Sequence, residues 1–256
     1  MAGVPRFGPH LPPKAVIAHR GASAYSAENT LAAFRAAADM GAHAIELDVK
    51  RSADGRVVVM HDATVTRTAH GAAGAVRRMT YAQLRALNVG PTARPEGVPT
   101  LEEVLDAVGQ RLFVNIELTN YDAPFDDLPQ RVAALLKAWG HPERVWVSSF
   151  NPWALWRFAR HCPEVSMGYL TQPTRGSVAL YRLLAPWLPH AALHPHRAQM
   201  DADWVRRAHA AGRKIFPYTV NRYAALRDAL ARPWIDGVFT DRPDAGLHAR
   251  AAALLS

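Results

Sequence analysis

Four short stretches place groups able to do chemistry at the ends of apolar runs: His19-Arg20-Gly21, Glu46-Leu47-Asp48, His61-Asp62 and Asn115-Ile116-Glu117. Taken singly, each has a bland reading. A lone His at a strand end is usually structural, and a lone Glu in a strand usually faces solvent. Together, two His and three carboxylates fall on four consecutive strand-like runs at matching ends. Side chains alternate along a strand, so Glu46 and Asp48 point to one side. Gathering three carboxylates away from water is costly unless a cation or protons neutralise them. With no Cys in the set, the oxygens of Glu46, Asp48 and Glu117 select one hard divalent cation, Ca2+ or Mg2+, over Zn2+. His19 and His61 supply proton-exchanging imidazoles, and Arg20 supplies a planar fork suited to phosphate. The combination predicts metal-assisted acid–base cleavage of a phosphate ester.

The elements that must position these groups alternate along the whole chain. Strand-like runs are Ala15–Ala18, Ala44–Val49, Val57–Met60, Leu112–Leu118, Val145–Ser149, Ser166–Leu170, Ala191–His194, Lys214–Val220 and Gly237–Thr240. Amphipathic helices lie between most of them. Thr100 and Glu103 have capping-box spacing ahead of Leu101, Val104, Leu105 and Val108, with Gly109 closing the helix. Val132, Leu135, Leu136 and Trp139 repeat that spacing before Gly140, while Asn151-Pro152, Asp201 and Asn221 are expected to open three further helices. Alternating βα units predict a parallel sheet, and this many of them predict a (β/α)8 barrel spanning residues 1–256 as one domain. In such barrels the active site lies at the carboxyl ends of the strands. The second unit is irregular. Asp48 and Val57 stand only a short turn apart, around Asp54-Gly55, too close for a helical crossover. The chain must therefore return directly, and nine candidate strands must fill eight places. Residues 63–99 are polar and punctuated by Gly and Pro, with one short helical segment at Tyr81–Leu87, and read as an excursion over the barrel mouth.

Composition narrows the function classes. The 256 residues are 49% hydrophobic and 20% charged, enough apolar material for a full core and too much for disorder. Only four of the 30 basic residues are Lys, and the net charge of +8 is spread over the chain rather than gathered in a stripe, so nucleic acid is not expected as a partner. The one cysteine, Cys162, excludes an intrachain disulfide and a thiolate metal site. The opening segment MAGVPRFGPHLPPK lacks the apolar run of an export signal. No stretch approaches the roughly 20 apolar residues needed to span a bilayer. The expectation is a cytoplasmic protein without stable membrane insertion.

The motifs carry a resemblance over nearly the whole chain, from Ala15 to Pro243. HRGASAYSAENTLAAF, GAHAIELDVKRSADGRVVVMHD, VNIEL, YTVN and DGVFTDRP, in that order, resemble the glycerophosphodiester phosphodiesterases of the bacterial cytoplasmic type. The resemblance implies a TIM-barrel hydrolase that requires a divalent cation. It also implies a small-molecule substrate, a deacylated phospholipid cleaved to sn-glycerol 3-phosphate and an alcohol. Position by position, it makes His19 and His61 the acid–base pair, sets Arg20 beside the phosphate, and makes Glu46, Asp48 and Glu117 the metal ligands. Residues 63–99 match the family's small insertion. One departure stands out. The family usually continues Glu-x-Lys at the fourth strand, where this chain has Glu117-Leu118-Thr119. By strand periodicity Thr119 should look into the same pocket as Glu117, with Lys50 or Arg67, the latter favoured, replacing the missing cation. Tyr218 stands where the family usually has Trp, and it and Phe150 are candidates to flank the glycerol moiety. Two other readings remain open. One is a phospholipase D-like enzyme acting on lyso- or sphingophospholipids, with Trp187, Leu183, Leu184 and Leu188 meeting lipid. The other is a non-catalytic phosphodiester-binding barrel, with Thr119 as its symptom.

Overall fold

The inward and outward faces of the strands follow a strict two-residue alternation, and that alternation builds both the core and the cavity. The structure is a computed structural model that describes residues 7–255. Residues 1–6, which open the segment read as carrying no export signal, and Ser256 lie outside the described residues. In chain order the strands are β1 (Ala15–His19), β2 (Ala44–Arg51), β3 (Val57–Val59), β4 (Phe113–Leu118), β5 (Val145–Ser149), β6 (Ser166–Thr171), β7 (Ala192–Pro195), β8 (Lys214–Ile215) and β9 (Gly237–Thr240). The helices are α1 (Leu31–Asp39), α2 (Tyr81–Arg85), α3 (Leu101–Val108), α4 (Leu128–Trp139), α5 (Pro152–His161), α6 (Arg175–Leu184), α7 (Asp203–Ala210), α8 (Tyr223–Ala231) and α9 (Pro243–Leu254).

Eight strands pair in parallel in the order β8-β7-β6-β5-β4-β2-β1-β9. Backbone bonds from Asp236 N to Ile215 O (2.9 Å), Phe239 N to Pro217 O (3.0 Å) and Val220 N to Phe239 O (2.9 Å) bring the two ends of that order together. The result is the expected (β/α)8 barrel. Outward residues such as Ile45, Leu47, Val114, Ile116, Val147 and Val238 are fully buried against the helix layer, which is why these runs read as continuously apolar. Inward residues split by level. Ile17, Ala44, Trp146, Ala192, Phe216 and Phe239 pack together low in the lumen. Two or four residues further along the same strands come His19, Glu46, Asp48, Ser148 and His194.

The ninth strand lies outside the barrel. β3 pairs antiparallel with β2, Val49 facing Val59 and Arg51 facing Val57. The turn is sealed by Ser52 Oγ, which accepts from Arg56 N at 2.8 Å. Strand β2 rises above the mouth and β3 brings the chain back down, so His61 arrives at the mouth from above. The four chemical stretches therefore sit on three barrel strands and one hairpin return, not on four consecutive barrel strands. Residues 63–99 then form a lobe whose apolar side chains, Val65, Ala69, Val76, Leu84, Val89 and Val98, pack on Val58 and Met60. The lobe ends beside β3, where Val59 N donates to Pro99 O at 2.9 Å.

Three local expectations are corrected. The run Lys214–Val220 is a regular strand only at Lys214–Ile215, because Pro217 has no N–H to give the ladder. Phe216 N and Tyr218 N still donate to Leu193 and Pro195. Asp201 does not open α7, whose flanking residue is Ala202; its carboxylate instead takes Arg232 Nη2 at 2.8 Å. Asn221 does not open α8, because its amide is committed to Asp241. Among the described residues no helix is long and apolar enough to cross a membrane.

Gly21 shows how tightly the turn after β1 is closed. Its φ is +82°, and a Cβ there would lie 2.6 Å from the carbonyl carbon of Ala33. Gly21→Ala is expected to cost at least about 2 kcal/mol, combining left-handed strain with a backbone clash. Thermal unfolding should register that as a midpoint lowered by roughly 4–8 °C.

Candidate active site

The polar upper level of the lumen opens into a cavity of about 190 Å³ lined by His19, Arg20, Glu46, His61, Asn115, Glu117, Phe150, Leu170, His194, Tyr218, Thr219 and Phe239. Strand register assembles its acidic side. Glu46 and Asp48 are two apart on β2, and Asp48 faces Glu117 across to β4. Ligand oxygens of the three lie within 4.8 Å of one another, and the residues are 2%, 1% and 8% exposed. Each carboxylate is aimed by a neighbour. Arg20 N donates to Glu46 Oε2 at 2.9 Å, Asn29 Nδ2 to Asp48 Oδ2 at 2.9 Å, and Tyr121 OH to Glu117 Oε1 at 2.9 Å. Glu46 Oε1 is buried and has no partner. Burial, reinforced by the charges of Asp48 and Glu117, holds the Glu46 carboxyl well above the usual range. Burial and the charge of Asp48 push Glu117 up to about 8. Three desolvated carboxyls with one orphaned oxygen fit a hard divalent cation, for which carboxylate oxygens are the preferred donors.

Both imidazoles are held in the same way. His19 Nδ1 lies 2.6 Å from Asp241 Oδ1 at the end of β9. Asn221 Nδ2 donates to the other oxygen of Asp241 at 2.5 Å. His61 Nδ1 lies 2.6 Å from Asp62 Oδ1. A carboxylate on Nδ1 fixes the proton there and leaves Nε2 as the uncommitted ring nitrogen. Hydrogen bonds from Arg67 hold the Asp62 carboxyl well below its ordinary range, against a smaller desolvation cost. Burial opposes ionisation of Asp241, but the hydrogen bond and charge of His19 outweigh it.

Arg20 is the one Lys or Arg side chain in the cavity wall among the described residues. Its φ is +57°, and its guanidinium donates from Nη1 to Glu28 Oε1 at 2.8 Å, with Nε 3.3 Å from Asp48 Oδ2. Arg67 binds the same Glu28, from Nη1 at 2.7 Å and Nη2 at 2.8 Å, and grips Asp62 through Nε at 2.6 Å and Nη2 at 3.0 Å. With four bonds made, Arg67 is a clamp between two carboxylates and is absent from the cavity wall. Lys50 is absent too, its Nζ donating to Thr119 O. Thr119 does not look into the pocket beside Glu117. Strand β4 ends at Leu118, and the Thr119 hydroxyl turns to Val49 O at 2.9 Å. Period-two alternation holds only as far as the strand that sustains it, and Thr119 lies one residue past its end. Phe150 and Tyr218 do line the cavity, edge to face with ring centroids 5.9 Å apart.

Several residues in or behind the cavity wall were given no role there from sequence. Glu28, Asn29, Asn221 and Asp241 all lie inside the motifs ENT, YTVN and DRP, so the signal was present. Asn115 lies in the quoted stretch Asn115-Ile116-Glu117 without a role of its own, and His194 gave no signal. At the floor, Asn115 Oδ1 and His194 Nδ1 are buried without partners, and burial pushes the His194 imidazole down to about 3.

Residues 19–245 match the glycerophosphoryl diester phosphodiesterase family. A glycerophosphodiester phosphodiesterase of Caldanaerobacter subterraneus is 34% identical over 239 residues, 90% of this chain and 94% of that one. One of Bacillus altitudinis is 32% identical over 243 residues, 92% and 97% of the two chains. Among solved structures, a glycerophosphodiester phosphodiesterase from Agrobacterium tumefaciens superposes with a TM-score of 0.77 at 29% identity, covering 92% of this chain and 99% of that one. A phosphodiesterase from Oleispira antarctica, solved with its product sn-glycerol-3-phosphate, has a TM-score of 0.77 at 28% identity, covering 95% and 98%.

Two measurements test this geometry. Glu117 carries a folded-state pKa raised from 4.5 to about 8, so the folded protein without cation binds protons that the unfolded chain releases. Stability should be full below about 4.5 and fall as pH rises towards 8. Melting curves in EDTA from pH 5 to 8 should show that slope, roughly, and Glu117→Gln should flatten it. For the clamp, Arg67→Ala should lower kcat by roughly tenfold with little change in KM, because Asp62 is freed while no substrate contact is lost. Thr119→Lys should bring no gain in kcat/KM. A raised KM in Arg67→Ala would instead return Arg67 to the phosphate.

Proposed function

The chain belongs to the glycerophosphoryl diester phosphodiesterase family, and from that premise we propose how its own residues carry out the hydrolysis. The reading is cleavage of a glycerophosphodiester to sn-glycerol 3-phosphate and an alcohol, assisted by one Ca2+ or Mg2+ ion and by His19 and His61. The observation that carries it is the pairing of two carboxylate-held imidazoles with three buried carboxylates around one cavity.

Glu46, Asp48 and Glu117 are the residues to hold the cation, with Glu46 Oε1 as the oxygen left over for it. A hard divalent ion in that position supplies polarisation of the phosphoryl oxygens. Arg20, with its guanidinium pinned by Glu28, offers the fixed positive charge beside the phosphate. One imidazole accepts the proton of the attacking oxygen through Nε2 while the other returns a proton to the leaving alkoxide. Asp241 and Asp62 stabilise whichever ring is cationic at that moment and hold its orientation. The nucleophile is water or the 2-hydroxyl of the glycerol itself. Phe150 and Tyr218 form an apolar flank for the glycerol carbons, and Tyr218 is kept in place by its hydroxyl, which donates to Thr171 O at 2.8 Å.

Hydrolysis of glycerophosphocholine should vanish on exhaustive EDTA treatment and return with Ca2+ or Mg2+, and the same ions should raise the melting temperature. His19→Ala and His61→Ala should each lower kcat by roughly 10²–10⁴-fold with little effect on KM. Full turnover in EDTA would end the metal assignment. Preference for lysophosphatidylcholine would favour the phospholipase D-like reading, and loss of neither substrate would favour a binding barrel.

A further inference from the structure

Helices α5 and α6 and the turn that follows α6 present large apolar side chains to solvent: Trp153 (44% exposed), Trp156 (49%), Leu183 (64%) and Trp187 (66%). Between them runs a groove of about 300 Å³ lined by Pro152, Trp153, Trp156, Leu184, Trp187 and Leu188, without a polar residue among them. Isolated exposed apolar residues are ordinary on a protein surface, but a contiguous patch of this kind marks a site of interaction. We propose that this face docks peripherally on an anionic phospholipid bilayer.

Charge decides the occupant. From Val145 to Met200 the chain carries Arg157, Arg160, Arg175, Arg182 and Arg197 against a single acidic residue, Glu164. Trp153 and Trp156 also line a second cleft, together with Arg157, Arg160 and His161 of the same helix and Gln130 of α4. The same two indoles thus line both an apolar groove and a basic one. Arg160, Arg175 and Arg182 are exposed, and among the described residues none of them has an acidic partner. Indole rings favour the boundary between headgroups and acyl chains, and nearby cationic residues favour an anionic leaflet. A second copy of this chain fits less well. A two-fold pairing through this face would set the same arginines against one another.

The face also lies beside the entrance to the catalytic cavity. Phe150 belongs to the cavity wall and Pro152, two residues on, to the groove. Docking by α5 and α6 therefore brings the open end of the barrel close to the lipid headgroups, while no described helix enters the bilayer as a span.

Flotation with vesicles of phosphatidylcholine, with and without phosphatidylglycerol, tests this independently of catalysis. The protein should float with the anionic vesicles, bind phosphatidylcholine alone weakly, and be released by salt. The double variant Trp153→Ala, Trp187→Ala should lose at least about tenfold in partitioning, and Arg160→Gln roughly fivefold. Leu183→Glu should reproduce the loss from a different residue. All three should melt as the wild type does and hydrolyse water-soluble glycerophosphocholine at an unchanged rate. Failure of the wild type to float with anionic vesicles would overturn the proposal, as would flotation that survives these variants. So would a dimer of the wild type in solution that the double variant dissociates.

Discussion

Three carboxylates forced into one small, nearly dry space are the constraint on which the rest of the site depends. Their closeness is a consequence of strand register, since β2 contributes two residues of the inward face and β4 sets its own residue opposite the second. Nothing local can relieve the repulsion, because all three are anchored to the barrel wall. The chain answers by turning its positive ends inward. The Arg20 N–H reaches Glu46, and Asn29 reaches Asp48. Both residues adopt left-handed backbone, φ +57° and +58°, to do so. Such conformations are uncommon for side chains other than Gly and cost of the order of 1–3 kcal/mol each. The strain sits where the electrostatics need it.

Around that centre two separate hydrogen-bonded chains reach the imidazoles. One passes through Asn221 and Asp241 to His19 and belongs entirely to the barrel. The other passes from Arg20 through Glu28, Arg67 and Asp62 to His61. It crosses from the barrel into the lobe and back. The Arg20 guanidinium and the His61 imidazole, both in the cavity wall, are thereby parts of one network. Glu28, pushed down to about 2 by Arg67 and Arg20 despite its burial, is the joint between them.

The barrel and the centre of the site were legible because they rest on the two most regular features of a strand, alternation and ends. His19, Glu46, Asp48 and Glu117 all lie where a continuous apolar run meets a polar residue of the inward parity. The hairpin was legible as well, since the connection at Asp54-Gly55 is too short for a helix. Errors began where regularity stops. Thr119 was assigned by alternation one step beyond the end of β4, and its hydroxyl turned to Val49. Asp201 and Asn221 look like helix caps by type, but Arg232 and Asp241 compete for their side chains from more than ten residues away. Such long-range competitors leave no trace in local spacing. The floor residue His194 was silent for the same reason, because nothing nearby in sequence separates an inward polar residue of the lumen from an outward one.

Because β3 hangs from the edge of β2 and contributes to no other barrel strand, the stretch from Val57 to Thr100 stands apart from the closed ring of hydrogen bonds. Its apolar side chains pack mainly on one another. The register of Glu46, Asp48 and Glu117 is set by β2 and β4 alone. What this stretch brings to the cavity is His61, Asp62 and the arginine that grips Asp62. The chain thus joins a closed frame of eight strands to a separately packed brow that meets the cavity through His61.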